Sequence, residues 1–293
     1  MIDVYIERMV PLIEAALEEH FPPMPKYATR VYESMRYTLF SKAKRIRPLL
    51  MLIIAETFKC DLKKVLPFAC AIEYVHTSSL ILDDLPCMDD ATLRRGKPAN
   101  HIVFGESIAI LAAIGLLNHA YSLIAKFNDD VDNNKLLEIL DIMTAAISID
   151  GLVGGQSLDL IHKEKKVELD VLEYMHRCKT ASLFVASVDI SAILCNAKEK
   201  ERKALTNYAK YIGLAFQISD DLSDQLLTEK ELGKDVKKDT LSTTYVSFYG
   251  VEGTIKFINE LIENAKKELT GLNYDCSLLI QLADKLKNKK YLS

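Results

Sequence analysis

The stretch SSLILDDLPCMDDATLRRGKP, residues 78–98, ends an apolar run in four aspartates, Asp83, Asp84, Asp89 and Asp90, and follows them with Arg94 and Arg95. Grouped carboxylates repel one another, so a multivalent partner between these acids and the paired cations is implied. A second acidic group, Asp220, Asp221 and Asp224, closes another apolar run in FQISDDLSD. Asp220 and Asp224 stand four residues apart and share a helix face. Carboxylate oxygens without histidine or cysteine ligands suit Mg²⁺, a hard ion that keeps several waters and shares phosphate oxygens. A diphosphate wants both that ion and the forked donors of arginine. One acidic pair at a helix end is ordinarily just solvated. Two such groups beside an arginine pair point to a diphosphate clamp.

Only a fold can bring the two groups together, and the pattern predicts an all-α one. All eight prolines fall at or before Pro98, and glycine is sparse at eleven. Helix interiors exclude proline, so its absence from the remaining two thirds suits a stack of long helices. Apolar residues recur at three- and four-residue steps in LLEILDIMTAAI (136–147), LTNYAKYIGLAFQISDDL (205–222) and TIKFINELIENAKKEL (254–269). Helices are expected near 2–20, 26–40, 47–59, 61–86, 107–128, 134–150, 168–194, 200–226, 252–270 and 275–289. FPPMP, RRGKPAN, FNDDVDNN, GLVGGQ and 228–244 are expected to break them. No break reads as an interdomain linker and no repeat is visible, so residues 1–293 are expected to form one domain.

Composition narrows the function. Hydrophobic residues make up 49% of the 293, enough for a substantial core. A net charge of −4 with mixed signs argues against nucleic-acid binding. The six cysteines form no C-x-x-C pair and read as reduced thiols of a cytoplasmic protein. The acidic, amphipathic N-terminus is unlike an export signal, and no apolar run reaches the length of a membrane span.

In several separated blocks, nearly end to end, the chain resembles the trans-isoprenyl diphosphate synthases, or polyprenyl synthetases. KRIRP (44–48), DDLPCMD (83–89), RRGKP, GGQSLD (154–159), KT (179–180), FQISDDLSD (216–224) and LGKD (232–235) appear in the family's order. SSLILDDLPCMDD and ESIAILAAIGLL look closest to the bacterial carotenoid-type geranylgeranyl diphosphate synthases. The resemblance implies a helical bundle of about ten or more helices around a central cavity, working as a homodimer. It implies a head-to-tail prenyltransferase that joins isopentenyl diphosphate to an allylic diphosphate (dimethylallyl, geranyl or farnesyl) with three Mg²⁺ ions.

Carried over residue by residue, the resemblance gives Asp83, Asp89 and Asp220 to the metal ions. Asp84 and Asp224 would bind the ions directly or orient their waters. Arg94, Lys179 and Lys234 would contact the allylic diphosphate. Lys44, Arg47, His76 and Arg95 would hold the second diphosphate, and Thr180 and Gln217 would line the space where the allylic cation forms. Without the resemblance, His76 would read as a satisfied core histidine and Lys179 as a surface lysine. GLVGGQ is expected to interrupt a helix and bring Gln156 and Asp159 near the site, whereas KEKK (163–166) and KLKNKK (285–290) read as solvated faces.

Product length is expected to follow the helix that ends at Asp83, since one helical turn of about 5.4 Å matches roughly one isoprene unit. Relatives stopping at fifteen carbons often place an aromatic residue five positions before the first aspartate. Here that residue is Ser78, beside Ser79, so the first floor is open. Tyr74 and Val75 form the next, which favours a twenty-carbon product over farnesyl diphosphate. Ser242 stands where the family commonly has lysine, which keeps a weakly active or regulatory subunit in view. A terpene cyclase would have no second diphosphate to hold, and a helical phosphohydrolase would need several histidine ligands.

Overall fold

The computed structural model describes residues 1–127, 131–163, 165–226 and 243–287, and these form an almost wholly helical molecule. Helices α1 (Ile2–Glu19), α2 (Thr29–Leu39), α3 (Ile46–Thr57) and α4 (Leu62–Asp83) lead into the first aspartate group. A two-stranded hairpin follows, β1 (Leu93–Arg94) with β2 (Lys97–Pro98), and then α5 (Asn100–Phe104), α6 (Glu106–Ala125) and α7 (Asn133–Ile147). Next come α8 (Leu152–Ile161), α9 (Leu169–His176), a π-turn (Arg177–Ala181) and α10 (Ser182–Leu194). The chain ends in α11 (Glu199–Leu226), α12 (Tyr245–Leu269) and α13 (Ser277–Leu286).

The centre is α3 and α4. Every residue from Ile46 to Ala55 is buried, so α3 meets solvent only at its end, at Glu56 and Thr57. At about 1.5–3 kcal/mol for each large apolar side chain removed from water, this burial dominates over helix propensity, which is weak for its isoleucines. Asp61 caps α4 by accepting from the Lys63 amide at 3.0 Å. α4 packs between α3 and α6, and α10 packs on α3 and α11. The chain ends meet: the Ile2 amide donates to Gln281 Oε1 at 3.0 Å, and Lys285 pairs with Asp3 at 2.5 Å.

Two local expectations are corrected and a third is filled in. GLVGGQ breaks the run of helices only at its first residue: α7 ends at Ile147, Gly151 precedes α8, and the rest lies inside α8. Glycine serves close approach here. A Cβ on Gly155 would stand 2.3 Å from the Lys179 backbone nitrogen, so α8 and the π-turn touch backbone to backbone. RRGKP breaks the helices as expected, and does so by forming the hairpin, with Arg95 (φ 55°) and Gly96 (φ 75°) as its two left-handed turn residues. The helix expected from 252 begins at Tyr245, with a break at Gly250 (φ 65°) and a Thr244–Ser247 capping box before it.

α4 and α6 are both long and apolar enough to cross a membrane by length and composition, although no unbroken apolar run suggested it. α4 is 72% buried by its neighbours and is a core helix. α6 is 39% buried and exposes Ile110, Leu111 and Ile114.

Candidate active site

The first aspartate group sits where α4 ends and the chain folds back. The Asp89 amide donates to the Asp83 carbonyl at 2.9 Å, and the Ala91 amide to the Asp84 carbonyl at 3.2 Å. This tight return keeps Asp83 and Asp89 adjacent despite the residues between them. Lys163, expected on a solvated face, instead donates to the Met88 carbonyl at 3.1 Å and braces the loop from α8.

Burial pushes the Asp83 carboxyl up to about 6, with the charges of Asp89 and Asp84 adding to it and Lys179 and Arg94 opposing. Asp84 is 1% exposed and takes the Nε–H and NH2 donors of Arg94 on its carboxylate. Arg94 is thereby held by the protein itself. Burial works against the charge of Lys179, but Asp159, Asp83 and Asp89 outweigh it and hold the ammonium above the ordinary lysine range. Its ion-pair partner is Asp159 on α8.

The second group meets the same π-turn from the other side. The Thr180 hydroxyl donates to Gln217 Oε1 at 2.6 Å, and Gln217 Nε2 donates to Asp221 Oδ1 at 2.9 Å. Asp221 Oδ2 lies 3.9 Å from His176 Nε2. With its proton committed to Gln217, Thr180 offers only lone pairs to anything on its open side. α11 comes this close because it carries Gly213, whose missing Cβ would stand 2.9 Å from the Ala181 Cβ. Asp220 and Asp224 are half-buried on the same helix.

The second cationic group lies between α2, α3 and α4. Arg47 is 8% exposed and its guanidinium carbon stands 4.7 Å above the Phe184 ring. Arg95 donates to the Thr38 carbonyl at 3.2 Å and to Ser41 Oγ at 3.3 Å. Burial lowers both arginines to about 10, and they repel one another. Burial also depresses His76 well below its usual value, with Arg47 and Arg95 next in effect, so the imidazole is neutral at pH 7. Lys44 is exposed at the rim. Lys234 and Ser242 lie outside the described residues.

Ser78 and Tyr74 share the face of α4 that meets α6. Ser78 donates to the Ala113 carbonyl at 2.9 Å, and the Tyr74 ring packs 5.3 Å from His119. Ser79 turns back to the His76 carbonyl and Val75 is 2% exposed.

The sequence reading passed over Arg45, Glu73 and His176, and named Asp221 only as a member of the second acidic group. Only Asp221 left a usable signal, its i, i+4 spacing from Gln217. Among the described residues, no three histidine, cysteine or carboxylate side chains already stand at metal-holding spacing. Oxygen donors whose charge is costly in the bare protein still fit a hydrated hard cation, which needs only one or two carboxylates at a time.

Comparison with known proteins decides the family. Residues 28–272 match the family model for polyprenyl synthetase. The chain belongs to the polyprenyl synthetase family. It is 41% identical to a geranylgeranyl diphosphate synthase of Cyanophora paradoxa over 288 residues, covering 97% of this chain and 95% of that protein. It is 40% identical to a farnesyl diphosphate synthase of Bacillus subtilis over 255 residues, 86% of each. Among solved members of the family, a Helicobacter pylori geranyltransferase complexed with magnesium and isoprenyl diphosphate superposes with a TM-score of 0.86 at 27% identity. That superposition covers 100% of this chain and 98% of the other.

Proposed function

We propose that this polyprenyl synthetase is a Mg²⁺-dependent head-to-tail prenyltransferase with geranylgeranyl diphosphate as its main product. One observation carries the reading. The π-turn places Lys179, which answers Asp83 and Asp89, next to Thr180, which is tied to Gln217 and Asp221. These ties support a reading in which the two acidic groups face one place.

Asp83, Asp89, Asp220 and Asp224 would hold the magnesium, three ions in this reading, which supplies Lewis-acid stabilisation of a departing diphosphate. Lys179, Arg94 and, from outside the described residues, Lys234 add positive charge to the same oxygens, lowering the barrier to breaking the allylic C–O bond. Thr180 and Gln217 present oxygen lone pairs to the allylic cation. Arg47, Arg95, His76 and Lys44 hold isopentenyl diphosphate so that its double bond attacks that cation. The buried apolar walls of α4, α6 and α10 keep water from quenching it. The proton then lost goes to the departing diphosphate, so no strong protein base is required.

The open position at Ser78 and the closed one at Tyr74, one turn below, support twenty carbons. Farnesyl diphosphate as main product is the second reading, and the Bacillus relative favours it. The exposed apolar face of α6 suits a second copy of the chain, giving a homodimer. One contiguous core joining α1 to α13 supports a single domain, and the six unpaired thiols suit a cytoplasmic location.

The test incubates purified protein with Mg²⁺, isopentenyl diphosphate and, separately, dimethylallyl, geranyl and farnesyl diphosphates, sizing the products by chromatography. A twenty-carbon product that vanishes with EDTA supports the reading. A fifteen-carbon end point selects the farnesyl alternative, and no elongation from any starter selects a regulatory subunit.

A further inference from the structure

Five non-glycine residues among those described have a left-handed backbone, and two of them, Arg45 (φ 49°) and Arg95 (φ 55°), send their side chains to the same carboxylate. That carboxylate is Glu73, 1% exposed in the middle of α4. Arg45 NH1 reaches Glu73 Oε1 at 2.6 Å and Arg95 NH2 approaches it at 3.7 Å. Three of the other four donors of Arg45 are also committed. Nε and NH2 go to Glu14 on α1 at 2.7 and 3.2 Å, and NH2 also reaches the Leu39 carbonyl at the end of α2. A fully buried arginine in a strained backbone, tied to three helices, is costly unless something is gained by fixing it there.

We propose that Glu73 is a positioning residue: gripped from one side by Arg45, it fixes from the other the Arg95 guanidinium that receives the diphosphate of the second substrate. This rests on reading Arg47, His76 and Arg95 as that diphosphate's site. The geometry separates the tasks. Arg45 spends four of its five N–H donors within the protein and its side chain has no exposed surface, whereas Arg95 keeps only long contacts, to Thr38, Ser41 and Glu73, and Arg47 Nε is buried with no hydrogen-bond partner. Glu73 also offsets the mutual repulsion of Arg45, Arg47 and Arg95, which would otherwise drive the guanidiniums apart before an anion arrives.

Two effects of neutralising Glu73 oppose each other. Removing a negative charge raises the pull on an anion, whereas losing the anchor spoils the fork geometry. Because charge-assisted fork bonds depend steeply on direction, the second effect wins. The experiment is steady-state kinetics of Glu73→Gln and Arg95→Gln, varying isopentenyl diphosphate at saturating allylic diphosphate and the reverse. Glu73→Gln is expected to raise the KM for isopentenyl diphosphate about tenfold and to leave the allylic KM within about twofold, with Glu73→Asp recovering part of the loss. If Glu73→Gln does not fold, Glu73→Asp and Arg45→Lys are read for the same split. An unchanged or lowered isopentenyl KM, while Arg95→Gln raises it, overturns the proposal and leaves the underlying reading standing. Equal rises in both KM values with a matching fall in melting temperature show a packing role only and also overturn it. No effect of Arg95→Gln on the isopentenyl KM removes the underlying reading, and the proposal with it.

Discussion

The Tyr74 hydroxyl donates to the Leu17 carbonyl at 3.0 Å, pinning a ring with no exposed surface between α1 and α6 one turn below Ser78. Phe21 closes on the same ring with centroids 6.4 Å apart. A side chain anchored at both ends makes a rigid floor. Tyr74→Ala is expected to shift products beyond twenty carbons, whereas Tyr74→Phe keeps the length. The alanine variant loses about 3–5 kcal/mol of stability from the cavity, so sizing is done well below its melting temperature. A product distribution identical to the parent's would free Tyr74 from any part in chain length.

Thr180→Val keeps the shape of the side chain but leaves Gln217 Oε1 without its donor and removes the oxygen that the proposed function turns towards the cation. A fall in kcat of ten- to a hundredfold is expected, matching the roughly 1.5–3 kcal/mol of a hydrogen bond to a charged group. Both KM values should stay near the parent's. A change confined to KM would place Thr180 in ground-state binding instead.

Asp83 gives the metal-free protein a signature in pH. Its folded-state carboxyl is raised to about 6, so the folded chain holds that proton more tightly than the unfolded one. Stability therefore falls as pH climbs from about 4 to 6 and stays reduced above, by about 3 kcal/mol for a shift of this size. Asp83→Asn is expected to unfold at higher urea than the parent at pH 7.5 in EDTA, while losing about a thousandfold or more in activity with Mg²⁺. An asparagine variant less stable than the parent at pH 7.5 would contradict this account.

His176 has the opposite sign in the same range. Burial lowers it to about 4, with Asp159 opposing and Lys179 assisting, so it stays neutral in the folded state. The unfolded chain takes up a proton near 6.5, and the stabilisation, about 3 kcal/mol, is complete above that value and lost as pH falls towards 4. His176→Phe keeps the ring beside Tyr245, whose centroid lies 5.5 Å away. Urea titrations of this variant from pH 7 to 4 should lack the rising limb, leaving the Asp83 slope exposed. A limb as steep as the parent's would assign it to another group.

The long helices beyond Pro98 were legible because burial and absent proline leave few alternatives, whereas α1 and α4 form with Pro11 and Pro67 inside them. Both aspartate groups were legible because clustered carboxylates after apolar runs are rare without cause. Gly154 and Gly155 were misread because a glycine needed for close approach looks, in one dimension, like a glycine that ends a helix. Glu73 and Arg45 were invisible for a related reason. A buried ion pair between α3's leading edge and α4 has no spacing rule, and each residue alone resembles an ordinary surface charge. Lys163 was misjudged because its run of charges carried no hint that one member bends towards Met88.

The π-turn at Arg177–Ala181 holds one residue more than a regular turn needs. Each residue of a regular helix advances about 100° around the axis, so taking one out would rotate α9 against α10 by more than a quarter circle. The rod would survive such an excision, even gain regularity, yet Lys179 and Thr180 could no longer answer the two acidic groups at once. Chemistry in this molecule is thus written partly in screw phase. A deletion harmless to folding would silence it, and an ancestral insertion of a single codon could have switched it on.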